Sequence, residues 1–358
     1  MNSFGHILQL TTFGESHGAA IGGILDGVPS GFEIDLNKVQ QALDRRKPGA
    51  EAIGSRRKES DRVQLLSGVF EGKTLGTPIG FIIPNEDAKS GDYAQLRDAY
   101  RPNHADFTYE TKYGIRDYRG GGRASARETA CRVAAGSIAA QILNRFGIKT
   151  IAYTSAIGRV EYECQNPNTD MIYSSEVRCP DSAFSAKMKK EIETAGMQGD
   201  TIGGCVSCKI TGVPAGLGEP IGGKLQSMLA SALMSIPAAK GFEYGLGMAA
   251  STARGSESAD IFLPGEKITT ATNNSGGIQG GISNGSEISL RVAFKPAPTL
   301  LRPIETVTRE GERITLTMKG RHDPCVVPRA VPVVEAMANL VLLDALMLHR
   351  ASTLRNCL

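Results

Sequence analysis

The chain has 358 residues and nearly balanced charge, with 40 Lys and Arg against 37 Asp and Glu and a net charge of +3. This length allows one large core or two ordinary domains, and so mild a net charge argues against nucleic acid or a membrane surface as the main partner. The seven cysteines are scattered, no secretory leader is apparent and no uncharged apolar run reaches membrane-spanning length, so we expect a cytoplasmic protein with free thiols.

The N-terminal segment predicts two strands joined by a turn. His6 to Phe13 carries branched residues, and Ile21 to Pro29 predicts a second strand. Between them, Gly14–Gly18 matches the G-x-S-x-G nucleophile elbow of serine hydrolases. An elbow requires a helix directly after Ser16, whereas glycines and a proline follow here, so the hydrolase is only an alternative. His17 is a candidate acid or base, although a lone histidine is more often structural.

A short helix and a charged loop come next. Asp35 is typical of a helix N-cap, and the helix that it opens ends in Arg45, Arg46 and Lys47, where cations favour a C-terminus. The loop from Pro48 to Asp61 is charged and irregular, which is typical of a mobile flap. Two further strands are predicted over Val63–Phe70 and Ile79–Ile83.

The glycine- and arginine-rich stretch Arg116–Glu128 predicts an anion site. Its three successive glycines, 120–122, permit a tight turn and close approach to a ligand. Ser125 precedes Glu128 by the spacing of a capping box, which predicts a helix that starts directly after the serine and ends near Gly147. Arginines around a helix N-terminus suit phosphate or carboxylate. Neither a P-loop nor G-x-G-x-x-G is present, and the alternative is a capped core helix with solvated arginines.

A second histidine lies just before this stretch. Pro102 biases Arg101 towards an extended backbone, so we expect the following turn to expose His104. A histidine beside an arginine could protonate a leaving phosphate. Basic residues are concentrated in 45–62 and 97–132, which favours a small acidic ligand over a polymer.

The rest of the chain alternates between strand and helix patterns. Strands are predicted from Ile151 and over Gly204–Ile210, Glu287–Phe294 and Arg313–Met318, and helices over Ala183–Glu193, over Leu225–Leu233 and from Pro332. Cys205 and Cys208 have no second pair at zinc spacing, so we interpret them as structural and expect no metal site. Glycine and asparagine clusters over 241–255 and 273–281 predict turns whose backbone could contact a planar ligand. We predict an α+β fold in a single domain spanning 1–358.

Together these segments resemble the chorismate synthase family, over essentially the whole chain and in the right order. The segments that carry the resemblance are Gly14–Gly18, Asp26–Pro29, Arg101–Asp106, Arg119–Glu128, Lys295–Thr299 and Arg321–Cys325 with Glu335. The resemblance implies a fold in which helices are sandwiched between antiparallel β-sheets, and a homotetramer.

The resemblance also implies a reaction. The family converts 5-enolpyruvylshikimate 3-phosphate to chorismate and phosphate by an anti 1,4-elimination, in the shikimate pathway to the aromatic amino acids. This lyase reaction needs reduced FMN without net redox change. No reductase domain is evident, so we expect reduced FMN to come from a separate reductase, with NADPH involved only indirectly.

The family's site residues map onto this sequence. The resemblance implies three catalytic residues: His17 held against the flavin, His104 protonating the departing phosphate, and Asp323 helping the flavin to act as a base. Flavin would be bound by Arg123, Ala124, Ser125, Pro237, Ala238, Gly280, Lys295, Pro296, Ala297, Pro298, Thr299 and Arg321. The substrate's phosphate and carboxylates would be bound by Arg45, Arg46, Arg101, Arg127 and Arg329.

Two residues depart from the family pattern. Ala52 stands where many relatives carry an arginine, which puts one anion contact in doubt. Asn103 replaces the glycine usual before the catalytic histidine, which could alter the turn. A non-catalytic FMN- or anion-binding module is the remaining alternative.

Overall fold

The computed structural model describes residues 2–47, 59–87, 93, 95–318 and 323–352. Its helices are α1 (Leu36–Arg46), α2 (Asp106–Tyr113), α3 (Thr129–Asn144), α4 (Thr169–Ser174), α5 (Ser182–Met197), α6 (Leu225–Met234), α7 (Gly255–Ser258) and α8 (Val327–Arg350).

The strands are numbered in chain order. They are β1 (Ser3–Phe4), β2 (Gln9–Phe13), β3 (Ala20–Asp26), β4 (Gln64–Leu65), β5 (Val69–Phe70), β6 (Lys73–Thr74), β7 (Ile79–Pro84), β8 (Lys149–Ile157), β9 (Val160–Glu161), β10 (Gly204–Thr211), β11 (Ala239–Tyr244), β12 (Phe262–Leu263), β13 (Thr269–Thr270), β14 (Ile278–Gln279), β15 (Ile282–Ser283), β16 (Ile288–Phe294), β17 (Ile304–Val307) and β18 (Arg313–Leu316).

Two five-stranded sheets and several short hairpins make up the β-structure. The first sheet has the order β1-β2-β3-β7-β4 and the second has the order β11-β16-β10-β8-β9. Their neighbouring strands pair antiparallel. The predicted mixed α+β class is therefore confirmed.

Helices α3 and α8 pack against each other and connect the two sheets. Helix α3 contacts β2, β3 and β7 of the first sheet and also β8 of the second, whereas α8 contacts β8 and β10. The two helices approach so closely that a Cβ atom on Gly136 would lie 2.4 Å from Ala336. Buried residues of both sheets, such as Ile21 and Val206, belong to one hydrophobic cluster with these helices. The core therefore lies around the α3–α8 pair.

Helix α8 is long and apolar enough to cross a membrane by length and composition, but 83% of its most apolar window is buried inside the protein. Burial of that extent is typical of a central core helix. Pro332 was predicted to open this helix, and that prediction is wrong, because the helix begins at Val327 and Pro332 lies inside it. Pro328 occupies the first turn instead, where the missing N–H costs little.

The N-terminal prediction of two strands is confirmed. Strands β2 and β3 pair antiparallel with Phe13 opposite Gly22, and Gly14–Gly18 forms the connection. Because a strand rather than a helix follows Ser16, this segment lacks the geometry of a nucleophile elbow. The glycine cluster 241–255 was predicted as turns, but β11 crosses its start, since Ala239–Tyr244 pairs with β16.

Candidate functional site

Gly120 is linked to both candidate histidines, to His17 by direct contact and to His104 through Arg101. A Cβ atom on Gly120 would lie 2.4 Å from His17 Nδ1, so this backbone approach requires glycine. Arg101 Nη2 donates to the Gly120 carbonyl oxygen at 3.2 Å and lies 3.0 Å from His104 Nδ1. The first glycine of the 120–122 run is therefore a neighbour that the two candidate histidines share, directly for His17 and through Arg101 for His104.

The turn before His104 depends on Asn103, which has a φ of +62°. Asparagine tolerates this left-handed conformation better than most residues other than glycine. The departure at this position therefore preserves the turn. The expectation that the turn exposes His104 is wrong, because its side chain is only 14% exposed.

Asp106 orients His104. Its carboxylate accepts from Arg101 through the backbone N–H at 3.0 Å, through Nε at 2.8 Å and through Nη2 at 2.7 Å, and Oδ1 lies 2.8 Å from His104 Nδ1. Asp106 Oδ1 lies closer to Nδ1 than Arg101 Nη2 does, and an ionised carboxylate can only accept, so we assign the proton to Nδ1, which donates a hydrogen bond to Asp106. This tautomer leaves Nε2 of His104 as the atom available to a ligand.

Burial sets the protonation of this pair. Burial lowers the pKa of His104, the hydrogen bond to Asp106 opposes that effect, and the charge of Arg101 adds to the lowering. Burial alone would raise the pKa of Asp106, but hydrogen bonds from Arg101 and His104 hold it well below its ordinary value. Near neutral pH the ligand-free pair is therefore a neutral imidazole beside an ionised carboxylate.

The predicted helix start after Ser125 is confirmed in a modified form. A single 3-10 turn, Ala126–Glu128, runs directly into α3, and Ser125 Oγ accepts from the Arg127 backbone N–H at 3.3 Å. The second hydrogen bond of a capping box, from the Ser125 backbone N–H to the Glu128 carboxylate, does not form, so that part of the prediction is wrong. The Glu128 carboxylate instead accepts from Thr12 Oγ1 at 2.9 Å and from Arg132.

The arginines of this stretch do not all point to one place. Arg123 donates to the Gly14 carbonyl at 3.1 Å and to Thr12 Oγ1 at 2.7 Å, at the end of β2. Arg119 instead pairs with Asp117 at 2.9 Å and is half exposed. Arg123 therefore lies beside the segment that carries His17, together with the 3-10 turn Gly122–Ala124.

Two of the five predicted substrate arginines pair with Asp61, and a third lies beside one of them. Arg46 Nη2 lies 2.8 Å from Asp61 Oδ2, and Arg127 Nη1 pairs with the other carboxylate oxygen. Arg329 Nε donates to the Arg46 carbonyl at 3.4 Å, and its guanidinium pairs with Asp323. We call Arg46, Arg127 and Arg329 the arginine cluster.

The cluster contains one buried cationic group with incomplete hydrogen bonding, Arg46. Arg46 is 2% exposed, and its Nε has no hydrogen-bond partner within the part of the chain that the structure describes. Burial, together with the neighbouring charges of Arg329 and Arg127, lowers the pKa of Arg46, while Asp61 opposes this. Such a group favours a further anion as a partner.

The remaining two arginines lie elsewhere. Arg101 belongs to the His104 pair described above. Arg45 stacks over the Tyr173 ring at 3.7 Å from its centroid, on the side of α1 that faces Glu335. The structure therefore does not bring the Arg45 side chain to the arginine cluster.

The predicted flavin segments meet in part. Lys295 N–H donates to the Ala238 carbonyl at 2.9 Å, next to Pro237, and its ammonium group donates to the Asn103 carbonyl. The segment Lys295–Thr299 therefore reaches the turn before His104, and Thr299 at its end is buried. Gly280 lies at the turn of the β14–β15 hairpin with a φ of +62°.

Some predictions lie outside the described residues. These are Arg321, the departure at Ala52, and all of the predicted flap except Glu59–Asp61. Two of the described flap residues contribute to the site, because Asp61 pairs with Arg46 and Arg127 and Glu59 lies 3.6 Å from Arg127.

Asp61, Asp106, Glu59 and Asn85 were not identified as site residues from the sequence. Asp106 lies inside the Arg101–Asp106 motif, and its position two residues after His104 could have identified it as a partner of that histidine. Asp61 and Asn85 lie in irregular loops, and only the tertiary structure brings them to Arg127.

A cleft of about 570 Å³ opens beside His104. Its walls include Gly14, Gly120–Gly122, Arg123 and the aromatic side chains of Tyr109 and Tyr113. Small-molecule sites commonly have about 300–1,000 Å³ and combine aromatic walls with a few polar groups.

The chain is similar to known proteins over almost its full length. The family model for chorismate synthase matches residues 8–347. A chorismate synthase of Christiangramia forsetii is 54% identical over 98% of this chain and 99% of its own length. One of Parabacteroides distasonis is also 54% identical, with the same coverage.

A solved structure gives the same result. A crystal structure of chorismate synthase superimposes with a TM-score of 0.77 and 32% sequence identity, covering 96% of this chain and 92% of the other.

Proposed function

The chain belongs to the chorismate synthase family, and on this premise we propose that it eliminates phosphate from 5-enolpyruvylshikimate 3-phosphate to form chorismate, in a reaction dependent on reduced FMN. The observation that carries the proposal is that contacts through Gly120 and through Asn85 connect His104 and Arg127 to the 14–18 turn, which carries His17. A substrate with one phosphate and two carboxylates needs several cationic partners once it is removed from water.

The arginine cluster and Arg101 are proposed to bind those anions. Asp61 bridges Arg46 and Arg127, and Arg46 Nε has no partner among the described residues. A guanidinium with a free N–H suits a carboxylate or phosphate oxygen. Arg45 remains a predicted contact without support from its observed position over Tyr173.

His104 is proposed to protonate the departing phosphate from Nε2. In the ligand-free protein burial lowers its pKa. A bound phosphate dianion would favour the charged imidazole, so the proton would be loaded when the substrate binds. Asp106 fixes Nδ1–H and stabilises the imidazolium.

The residues present fit an anionic, ring-shaped cofactor. Lys295 and Arg123 supply cationic groups, and the unsubstituted backbone of Gly120–Gly122 lines the cleft next to His104. When bound, reduced FMN would supply an electron-rich ring and a base for an elimination without net redox change. His17, packed on Gly120, and Asp323, paired with Arg329, are proposed to be the two groups that hold the protons needed near it.

Five further features belong to the same proposal. The chain would form a single domain, for which the shared hydrophobic cluster is the support. The sandwich arrangement is supported by α3 packing on one sheet and α8 on the other. We also propose a homotetramer and a cytoplasmic location, with reduced FMN supplied by a separate reductase that uses NADPH.

An anaerobic assay tests the proposed function. The purified protein is mixed with 5-enolpyruvylshikimate 3-phosphate and dithionite-reduced FMN, and chorismate and phosphate are measured. We expect equimolar products with reduced FMN and none with oxidised FMN alone. Equal turnover without flavin would rule out the mechanism, and flavin binding without substrate consumption would favour a non-catalytic module.

A further inference from the structure

Asn85 connects two parts of the site that are distant in the chain. It directly follows β7, and its side-chain amide makes three hydrogen bonds. Nδ2 donates to the Glu15 carbonyl at 3.0 Å and to the Gly18 carbonyl at 2.8 Å, while Oδ1 accepts from Arg127 Nε at 2.8 Å.

Chemistry alone determines the orientation of this amide. Arginine Nε–H can only donate and backbone carbonyls can only accept. A flipped amide would place its NH₂ group against the guanidinium and its oxygen against two carbonyls. The observed orientation satisfies both amide protons and the oxygen, so no other residue of this shape provides the same contacts.

The two carbonyls are the ends of the turn that carries His17. The Gly18 N–H donates to the Glu15 carbonyl at 3.1 Å, which makes Ser16 and His17 the two central residues of that turn. The Asn85 backbone N–H also donates to the Ala19 carbonyl at 3.0 Å. Asn85 therefore holds both ends of the turn against β7.

The amide oxygen faces the arginine cluster. Arg127 donates Nη2 to the Pro84 carbonyl at 3.0 Å and pairs through Nη1 with Asp61. The third nitrogen of the guanidinium, Nε, donates to Asn85 Oδ1. One amide thus constrains a guanidinium proposed to bind substrate and the backbone of a proposed catalytic histidine.

We propose that Asn85 is a positioning residue that couples the His17 turn to Arg127, so that the histidine and the anion site hold one relative geometry. The inference rests on the proposed function for its kinetic consequence, but the coupling itself is a property of the fold. A misplacement of about 1 Å in a positioned group can cost on the order of 100-fold in rate.

A double-mutant cycle tests the coupling. Asn85→Leu has nearly the same shape but no hydrogen-bonding groups, and we expect kcat to fall at least about tenfold, with a rise in KM through Arg127. In a His17→Gln background the same substitution should lower kcat less than about twofold, because the group that it positions is already gone. Equal losses in both backgrounds would overturn the proposal.

Two more variants guard against a folding defect. Asn85→Asp preserves the shape and the acceptor for Arg127 but places oxygen against both carbonyls, so it should also lower kcat at least about tenfold. Asn168→Ala removes an amide that accepts from two backbone N–H groups at the start of α4, and we expect kcat and KM to stay unchanged. A loss in Asn168→Ala equal to that in Asn85→Leu would show general destabilisation and refute the specific role.

A readout independent of turnover separates this inference from the proposed function. Imidazole resonances of the wild type are assigned with His17→Gln, and the His17 signal is followed by NMR in Asn85→Leu and Asn85→Asp. We expect the imidazole chemical shifts of His17 to change in both variants. Unchanged His17 signals would overturn the coupling even in an active enzyme, whereas shifted signals would support it even if the wild type made no chorismate.

Discussion

At the scale of single residues, the site depends on how each charged group is paired. Asp106 serves two residues, since it binds the Arg101 guanidinium and the His104 imidazole. Asp61 likewise bridges Arg46 and Arg127. Because each carboxylate holds an arginine in a buried place at a fixed angle, the arginines are positioned before a ligand arrives.

Replacing His104 should affect turnover far more than flavin binding. His104→Ala removes the proposed acid, and general acids contribute on the order of 100- to 10,000-fold to rate. We expect kcat to fall within that range and the dissociation constant for FMN to change less than about threefold. Stopped-flow turnover and flavin titration provide the two values.

A fall in kcat of less than about threefold would remove His104 from the role of general acid. Tyr113→Phe is a matched control, because it changes a residue of the same cleft while preserving the ring. We expect its kcat to remain near that of the wild type.

At the scale of elements, the end of α1 separates two adjacent arginines. Arg178 Nη2 donates to the Arg45 carbonyl at 3.3 Å and Arg329 Nε donates to the Arg46 carbonyl at 3.4 Å, so two guanidinium groups occupy the helix C-terminus. Cations at this position favour the helix dipole. Successive helical residues point about 100° apart, which sends Arg46 towards Asp61 and Arg45 towards Tyr173.

Glu335 joins three elements and should give stability a pH dependence. Its carboxyl accepts from the Ala152 N–H of β8 at 2.9 Å and from the Tyr173 hydroxyl of α4 at 3.2 Å, while it belongs to α8. Burial raises the pKa of Glu335 to about 7 from an ordinary value of 4.5. Between these values the folded protein retains a proton that the unfolded chain has released, so stability falls as pH rises.

Glu335→Gln removes this titration and preserves an acceptor oxygen. We expect the free energy of unfolding of the wild type, minus that of the variant, to decrease between about pH 4.5 and pH 7. Urea unfolding of both proteins at several pH values measures this difference. The lowered pKa of His104 gives stability the opposite pH dependence, but His104 is present in both proteins and its contribution cancels in the difference. Parallel curves for the two proteins would contradict a raised pKa for Glu335.

At the scale of the whole molecule, an exposed apolar hairpin is the candidate surface for the proposed self-association. Around β12–β13, Ile261 is 67% exposed, Phe262 is 62% exposed and Ile268 is 73% exposed. Contiguous exposed apolar residues commonly mark a protein–protein contact. This hairpin supports the proposed homotetramer.

A charged substitution in the hairpin should weaken the assembly. We expect wild type to sediment as a tetramer and Phe262→Asp to shift towards smaller species, because an aspartate is costly to bury at an apolar contact. Met197→Asp, at an apolar residue that is 82% exposed on α5, is the control and should leave the mass unchanged. A monomeric wild type would refute the tetramer.

Local chemistry in the sequence determined much of the element pattern. The Asp35 cap, the alternation of Ile288–Phe294 and the glycine after α3 each act within a few residues, so the predicted elements are confirmed there. Predictions were wrong where distant packing outweighed a local signal. Burial on many sides of α8 allows Pro332 inside the helix, and pairing with β16 makes a strand of Ala239–Tyr244.

Only the tertiary structure decided how the candidate site is assembled. The sequence alone identified His17, His104 and the arginines by residue type and by family resemblance. Their spacing along the chain does not show where each side chain points in the folded protein. Arg45 and Arg46 are neighbours that diverge, whereas Asn85 and Arg127 are 42 residues apart and share a hydrogen bond. The physical reason is that contacts between remote segments depend on how sheets and helices pack, and no local pattern specifies that packing.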